Sequence, residues 1–508
     1  QLDTPSDKKG FKTYWTDTCQ EPPIPRPPLL RSLSCKHNTH HVVIIGGGMA
    51  GLHTALSLAE QQKSPKTKIQ ITILESSSIG TTGASGLSKG LVVSGIQVPQ
   101  EDLAFRYGET IASEIYNLTY QAQECLLRRI ELYGIQCRLE GGGLVEASIH
   151  APFLSEEQPD DAADCTTIEE EEEEECEELN ATQVQNLLGT NPSLYKCGEY
   201  DDSCIGCDPL GLTRGLARAC ESCGVKIYED TEAIEIERIG EKKRRMFRVT
   251  TKNGKYIDCH DVVLCSGATH ISPKLSSYLH HAVVPIYTYM GVTEPLLESE
   301  CPIPPIGRNK YAATGTKSDV EKKVKSRPMG GDDFVCLNYW RCAPSEGKNK
   351  QRILFGSLAD SYPMPMWLIQ YRLKKAFVQV YPQCRHVNFE CIWGGPLAFS
   401  RRAVPLIGRD ESFQDDNDDD DDCGGSVWYA TGFGGHGIVP TVMAGSVLAN
   451  AILGKDKETW RMFQQHFPPE NMFWPVGRLG AQLILFGYNV IDWAHVKGLP
   501  VPKVPKPW

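Results

Sequence analysis

An α/β fold is predicted by three observations. A short apolar run, His41–Ile45, passes directly into a glycine turn and then a segment of helical composition. A second apolar run, Ile69–Leu74, ends on Glu75 and completes a strand–turn–helix–strand unit. Further strand-like runs begin near residues 225, 261 and 427, and a β-richer stretch at 283–360 separates them. One unit is therefore expected to be discontinuous, with a second inserted between its parts.

Composition fits that reading. The chain has 508 residues, 41% hydrophobic and 23% charged, which excludes collagen-like, miniature disulfide-stapled and wholly disordered proteins. Cores stop growing at about 250–300 residues, so two to four domain-sized units are expected. Residues 156–178 hold 14 acids, residues 410–422 hold 9, and neither run contains Lys or Arg; without them the net charge of −12 becomes +11. Runs such as Glu169–Glu175 and Asp418–Asp422 repel themselves and are expected as disordered insertions. The basic remainder shows no Lys/Arg stripe, so no nucleic-acid partner is expected. Nineteen cysteines without regular spacing do not read as a secreted disulfide framework. No stretch of 18 apolar residues occurs, the longest candidate (Leu479–Ile491) being interrupted, so no transmembrane span is expected. No secretory signal is visible, and the triplets at Asn117 and Asn180 read as chance. A cytoplasmic location is expected, with organellar targeting left open because the chain begins at Gln1.

Residues 1–40, rich in proline, read as an extended arm. His41–Ile45 suits a strand buried on both faces, and Leu52–Gln62 a helix. Residues 103–137 show helical spacing, Leu210–Cys223 reads as a helix, and Val225–Tyr228 and Met246–Thr250 read as strands. Asp261–Gly267 is a strand ending in small residues, Val427–Thr431 another, and Thr441–Leu453 a helix. The discontinuous unit is placed at 41–100, 200–275 and 390–455, and the second unit at 101–199 and 276–389. An acidic loop at 410–425 and a C-terminal extension at 456–508 complete the division.

Gly46-x-Gly48-x-x-Gly51 has a mechanical reading. The first glycine permits the tight turn, the second lets backbone approach a pyrophosphate, and the third lets helix pack on strand. Phosphates then rest on a helix N-terminus, where free N–H groups favour anions. Glu75 lies 24 residues beyond Gly51, close to the usual ~20 for an acid that holds ribose hydroxyls. A chance loop is the alternative, and the motif alone leaves FAD and NAD open. The Gly80–Gly90 stretch is either an ordinary glycine loop or a cover for the pyrophosphate leading to a flavin edge.

The later cluster Gly432–Gly437 opens a helix whose N-terminus would stabilise negative charge on a flavin upon reduction. His436 either assists catalysis there or caps and packs. Cys204-x-x-Cys207 and Cys220-x-x-Cys223 have zinc-like spacing, but a helix between them, roughly 18–20 Å long, would hold the pairs apart. No metal is expected.

Taken in order, Gly46–Gly51, Glu75, Gly83–Gly86, Asp208-Pro209, the strand ending at Gly267, Pro405–Gly408 and Gly432–Gly437 resemble the D-amino-acid oxidase superfamily of FAD-dependent oxidoreductases. The similarity is nearest to gamma-glutamylputrescine oxidase-like proteins, through Tyr14-Trp15, Tyr133–Cys137, Thr293–Leu296, Asn338–Arg341, Ile353–Gly356 and Gly435–Gly437. It covers nearly the whole chain outside the acidic insertions.

The resemblance implies a discontinuous Rossmann-like FAD-binding domain and an α+β substrate domain built on an antiparallel sheet. FAD would be held by Gly46, Gly48, Met49, Ala50, Gly51, Glu75, Ser76, Gly83, Ala84, Ser85, Gly86, Gly90, Gly267, Gly432, Gly434, Gly435, Gly437 and Ile438. Tyr339, Trp340 and Arg341 would line the substrate side, unless they form an ordinary strand surface. The implied reaction oxidises a C–N bond of a small amine or amino acid by hydride transfer to flavin N5. The imine hydrolyses, oxygen is the expected acceptor and peroxide the product. Two alternatives stand beside it: a dehydrogenase passing electrons to a carrier, and a non-catalytic nucleotide-binding scaffold. The chain departs from its bacterial relatives at Leu87, Ser88 and Lys89, where they tend to read Arg-Asn-Gly, and at Tyr289, where glutamine is common.

Overall fold

Val42 and Ile44 face one side of the first strand while Val43 and Ile45 face the other, and both sides are buried. The computed structural model describes residues 12–35, 39–62, 69–150, 176–240, 245–268, 270–305, 326–334, 337–344, 350–414, 424–471, 477–497 and 499. The expected disordered runs Glu169–Glu175 and Asp418–Asp422 lie outside these residues.

The first strand, His40–Ile45, is the third from one edge of a six-stranded sheet. Its order runs Lys226–Tyr228, Ile69–Leu74, His40–Ile45, Asp261–Leu264, Val427–Thr431 and Leu406–Arg409, with only the last antiparallel. Three widely separated parts of the chain therefore build one sheet. The helices Met49–Glu60, Pro209–Ser222 and Ile438–Ile452 cover one face in a shared apolar cluster. The other face packs on a three-stranded antiparallel sheet of Ala233–Ile239, Met246–Thr251 and Tyr256–Cys259. Such doubly covered parallel strands explain the continuous apolar runs.

The second sheet has nine strands. Phe389–Ser400, Val283–Thr293, Lys350–Asp360 and Tyr339–Pro344 pair antiparallel in that order. Met329–Asp332, Leu144–Ser148, Cys197–Asp201 and Glu177–Asn180 continue it, with one parallel pairing between the first two of these. Ile369, Leu373, Phe377 and Val380 of the Met366–Val380 helix pack against Trp340 and Phe355.

Several expectations change in detail. The 103–137 stretch is two helices, Gln100–Tyr107 and Glu109–Leu132, broken at Gly108 with φ +93°. The longer one buries Ala112, Ile115 and Leu126 against the helices of the six-stranded sheet, while Leu144–Ser148 and Cys197–Asp201 join the nine-stranded one. The proline-rich arm is not free. Tyr14–Thr18 is a capped helical turn, Leu29 is buried, and Arg26 pairs with Glu221 at 2.7 Å while Glu21 takes Arg218 at 2.7 Å. Asp410, counted with the acidic loop, is fully buried and accepts from Ser276 Oγ at 2.5 Å.

Candidate active site

Where the two sheets meet, a cavity of about 1260 Å³ opens. Gly46, Gly48, Met49 and Ala50 line it at the end of the first strand. Gly46 has φ +112°, and a Cβ there would come within 2.4 Å of the Cys265 carbonyl oxygen. Gly51 does not face the cavity; a Cβ on it would lie 2.0 Å from the Gly46 oxygen, so its role is close helix–strand packing. A Cβ on Gly48 would point to Ser85 Oγ at 2.9 Å, and that hydroxyl accepts from the Met49 N–H at 2.9 Å. Glu75 and Ser76 complete this end. Glu75 Oε2 accepts from the Gly47 N–H at 2.7 Å and Oε1 from the Ser77 N–H at 2.9 Å; burial raises its pKa against the pull of these bonds.

Gly83, Ala84, Ser85 and Gly90 carry the chain along the cavity. Gly86 turns away, because a Cβ on it would sit 2.0 Å from the Gly80 oxygen. Three long side chains pin this loop by its carbonyls. Trp393 Nε1 donates to Leu87 at 2.9 Å, Trp15 Nε1 to Ser88 at 3.0 Å, and Arg341 Nη1 to Gly90 at 3.3 Å. Gly395 lines the cavity where a Cβ would come within 3.3 Å of the Gly83 oxygen. Sequence reasoning overlooked Trp393 and Gly395; the glycine pair inside the Phe389–Ser400 strand was the available sign of close backbone approach.

Gly267 lines the cavity just past Cys265, and Gly434, Gly435, Gly437 and Ile438 line it too, whereas Gly432 lies outside the lining, beside Ser400 and Leu406. The Ile438–Ile452 helix has no side-chain cap at its start, where Gly437 and Ile438 line the cavity. The cavity thus runs between two helix amino-ends, at Met49 and at Ile438. His436 lines it, with Nε2 3.3 Å from the Val93 oxygen; burial lowers its pKa and favours the neutral ring.

Of Tyr339, Trp340 and Arg341, only Tyr339 lines the cavity. Its partner across the strands is Gly356, over which the ring lies. Trp340 points to the opposite face by strand alternation and is fully buried between Tyr195 and Phe355. Arg341 shares the Tyr339 side but stops behind the loop, buried, over the Trp15 ring at 5.4 Å and 3.9 Å from Glu140. Tyr289 alternates away from its cavity-lining neighbours Thr288 and Met290, and its hydroxyl accepts from the Met364 N–H at 3.0 Å. Trp340, Arg341 and Tyr289 thus stand behind the cavity wall rather than in its lining.

Lys89 takes the place they leave. It lines the cavity with Nζ 5.1 Å from the Tyr339 ring centre and has no hydrogen-bond or ion-pair partner among the described residues. Burial, with the Arg341 charge behind it, brings its pKa down to about 8. Glu146, Glu199 and Asp332 stand further along the wall. Burial lifts Asp332 to about 7, against its bonds to Asn338 and Tyr195. No cluster of His, Cys, Asp or Glu able to hold a metal occurs among the described residues, and the Pro209–Ser222 helix stands between the two cysteine pairs.

A flavin dinucleotide suits these residues. The volume exceeds the ~300–1,000 Å³ typical of small-ligand sites, leaving room for a substrate beside the cofactor. A side chain at Gly48 would fill cavity space at the helix end.

A family model described as FAD dependent oxidoreductase (DAO) matches residues 41–451. Among curated proteins, the chain is 26% identical to the probable oxidoreductase OrdL of Haemophilus influenzae, over 82% of this chain and 83% of that protein. It is 23% identical to gamma-glutamylputrescine oxidoreductase of Escherichia coli, over 85% of this chain and 88% of that one. Among solved structures, glycine oxidase from Geobacillus kaustophilus superposes with TM-score 0.57 at 16% identity, covering 86% of this chain and 100% of its own. L-proline dehydrogenase from P. horikoshii gives 0.56 at 17%, covering 84% and 98%. These structural likenesses speak to fold.

Proposed function

Because the chain belongs to the FAD-dependent oxidoreductase family, we propose that it oxidises the C–N bond of an amine or amino acid to an imine, which water hydrolyses. Oxygen is the proposed electron acceptor and hydrogen peroxide the product. Bound FAD supplies the two-electron acceptance. The observation that carries this reading is the continuous cavity between the helix amino-ends at Met49 and Ile438, with Tyr339 and Lys89 on its side wall.

The chain's own residues have distinct roles in this proposal. Gly46, Gly48, Met49 and Ser85 hold the pyrophosphate against the first helix end, and Glu75 faces the adjoining sugar. The amino-end of the Ile438–Ile452 helix favours negative charge on the reduced ring. His436, neutral, shapes that end. Tyr339 and Lys89 orient the substrate, and the Trp15–Trp393–Arg341 set fixes the loop that separates substrate from solvent.

Purified holoenzyme mixed with a panel of amines and amino acids tests the reading. Peroxide released in step with loss of one substrate is the expected result. If no panel member bleaches the flavin anaerobically, amine oxidation is wrong. If one does, yet peroxide forms only when an artificial electron carrier is omitted and then slowly, oxygen is not the acceptor.

A further inference from the structure

We propose that the C-terminal helix, Gly477–Val496, lies on the surface of an anionic lipid bilayer. Ala481 and Leu485 pack on Val284, Ile286, Ala359 and Phe399 of the nine-stranded sheet. Gln482 fixes that face by accepting from the Ser361 N–H at 2.8 Å, and Arg478 donates to the Ser361 oxygen at 2.6 Å. The other face is left open. Leu479, Leu483, Phe486, Val490 and Trp493 form one stripe at spacings of four and three, each 48–66% exposed. Isolated exposed apolar residues are ordinary, but a stripe along about four turns marks a covered surface. At its start Arg478 lies over the half-exposed Tyr362 ring at 4.7 Å, and Met366 and Trp367 follow, also exposed.

Charge selects the occupant. Residues 471–508 contain Arg478, Lys497, Lys503 and Lys506 against the single acid Asp492, in a chain of net charge −12. Lys497 continues the stripe one turn past Trp493, where a long cationic side chain reaches headgroups while its stem stays apolar. In a helix pair with a second copy, charged flanking residues commonly set partner and orientation. Here Gly480, Gly487 and Ala494 flank one side and Gln482, Asn489 and Val496 the other, none charged. No helix among the described residues is long and apolar enough to cross a membrane, and this one is tied to the sheet, so it lies in the interface plane rather than spanning it.

The test is co-sedimentation of FAD-loaded protein with phosphatidylcholine vesicles, with and without phosphatidylserine. Expected is binding ~10-fold stronger when phosphatidylserine is present, weakened by high salt. Leu483→Ser with Phe486→Ser should lose that binding at least ~10-fold while keeping its flavin and turnover in solution. Retained flavin in this variant shows that any loss of binding is not unfolding. Failure to sediment with either vesicle type overturns the proposal. So does equal binding by the double variant, or a dimer in solution that the double variant makes monomeric without any vesicle binding.

Discussion

Lys89 Nζ stands 5.1 Å from the centre of the Tyr339 ring, a contact that joins the loop after Glu75 to the nine-stranded sheet across the cavity. An ammonium with no ion pair in such a wall is poised to meet a negative group on substrate or cofactor. With its pKa near 8, the charge is present below that pH and lost above it. We predict that kcat/KM falls as pH rises through about 8. Lys89→Met should lower kcat/KM by at least ~10-fold and flatten that limb. A Lys89→Met profile that keeps the same limb would assign the titration elsewhere.

The same residue predicts a stability change of opposite sign. Its folded pKa, about 8, lies below the ordinary 10.5, so between those values the unfolded chain binds more protons. The fold therefore gains stability as pH rises through that window, and the charged lysine opposes folding below pH 8. Cofactor-free Lys89→Met should melt higher than the parent at pH 7, with the gap closing towards pH 10. An equal or lower melting temperature at pH 7 would contradict this.

Gly48→Val is expected to abolish flavin retention while leaving the sheet intact. The new side chain enters the cavity at the helix end and meets the Ser85 hydroxyl, 2.9 Å from the Cβ position. Unlike Gly51, where backbone is struck at 2.0 Å, the clash at Gly48 is with a movable hydroxyl. The variant should therefore fold, by circular dichroism, and purify without visible flavin bands. A fully yellow preparation would move the pyrophosphate away from Gly48.

How legible this site is in the sequence depends on the kind of information each residue carries. Gly46, Gly48, Gly51 and Glu75 are readable because their spacing is local: turn, helix and strand follow within 30 residues, and each glycine answers one steric demand. Gly434–Ile438 is readable for the same reason, as a strand feeding a helix. Tyr339, Trp340 and Arg341 are contiguous in sequence, yet alternation sends the middle one into the core and the Gly90 loop screens the third. Which face is the site depends on pairing with Gly356 and Gly330, separated from them in the chain. The proline-rich arm shows the same limit. Nothing local in residues 12–35 says that Trp15 will reach Ser88 or that Leu29 will be buried under the sheet.

Arg341 makes its contribution through the loop, and its variant should report that. Arg341→Ala removes the donor to Gly90, the contact over Trp15 and the charge near Glu140. A loss of about 2 kcal/mol of stability is expected from the lost packing and unpaired groups. Turnover should fall through weaker flavin binding, so that added FAD restores most of it. A defect in kcat at saturating FAD with unchanged stability would instead put the guanidinium against substrate.

Tyr289 offers the sharpest separation of supporting from substrate-facing tyrosines. Its ring is buried, and its hydroxyl serves the Met364 N–H ahead of the Met366–Val380 helix, pointing away from the cavity. Tyr289→Phe leaves that N–H without its acceptor but keeps the ring, so stability should drop by about 1 kcal/mol. The flavin spectrum and kcat/KM should remain those of the parent. Tyr339 lines the cavity, and burial raises its pKa against a side-chain hydrogen bond with Thr288, so its hydroxyl stays protonated at neutral pH. Tyr339→Phe should therefore raise KM with little change in melting temperature, the reverse of the Tyr289 result. Steady-state kinetics and thermal melts on the two variants side by side decide it: a KM effect at Tyr289, or a purely thermal effect at Tyr339, would exchange their roles and move the substrate to the other face of the sheet.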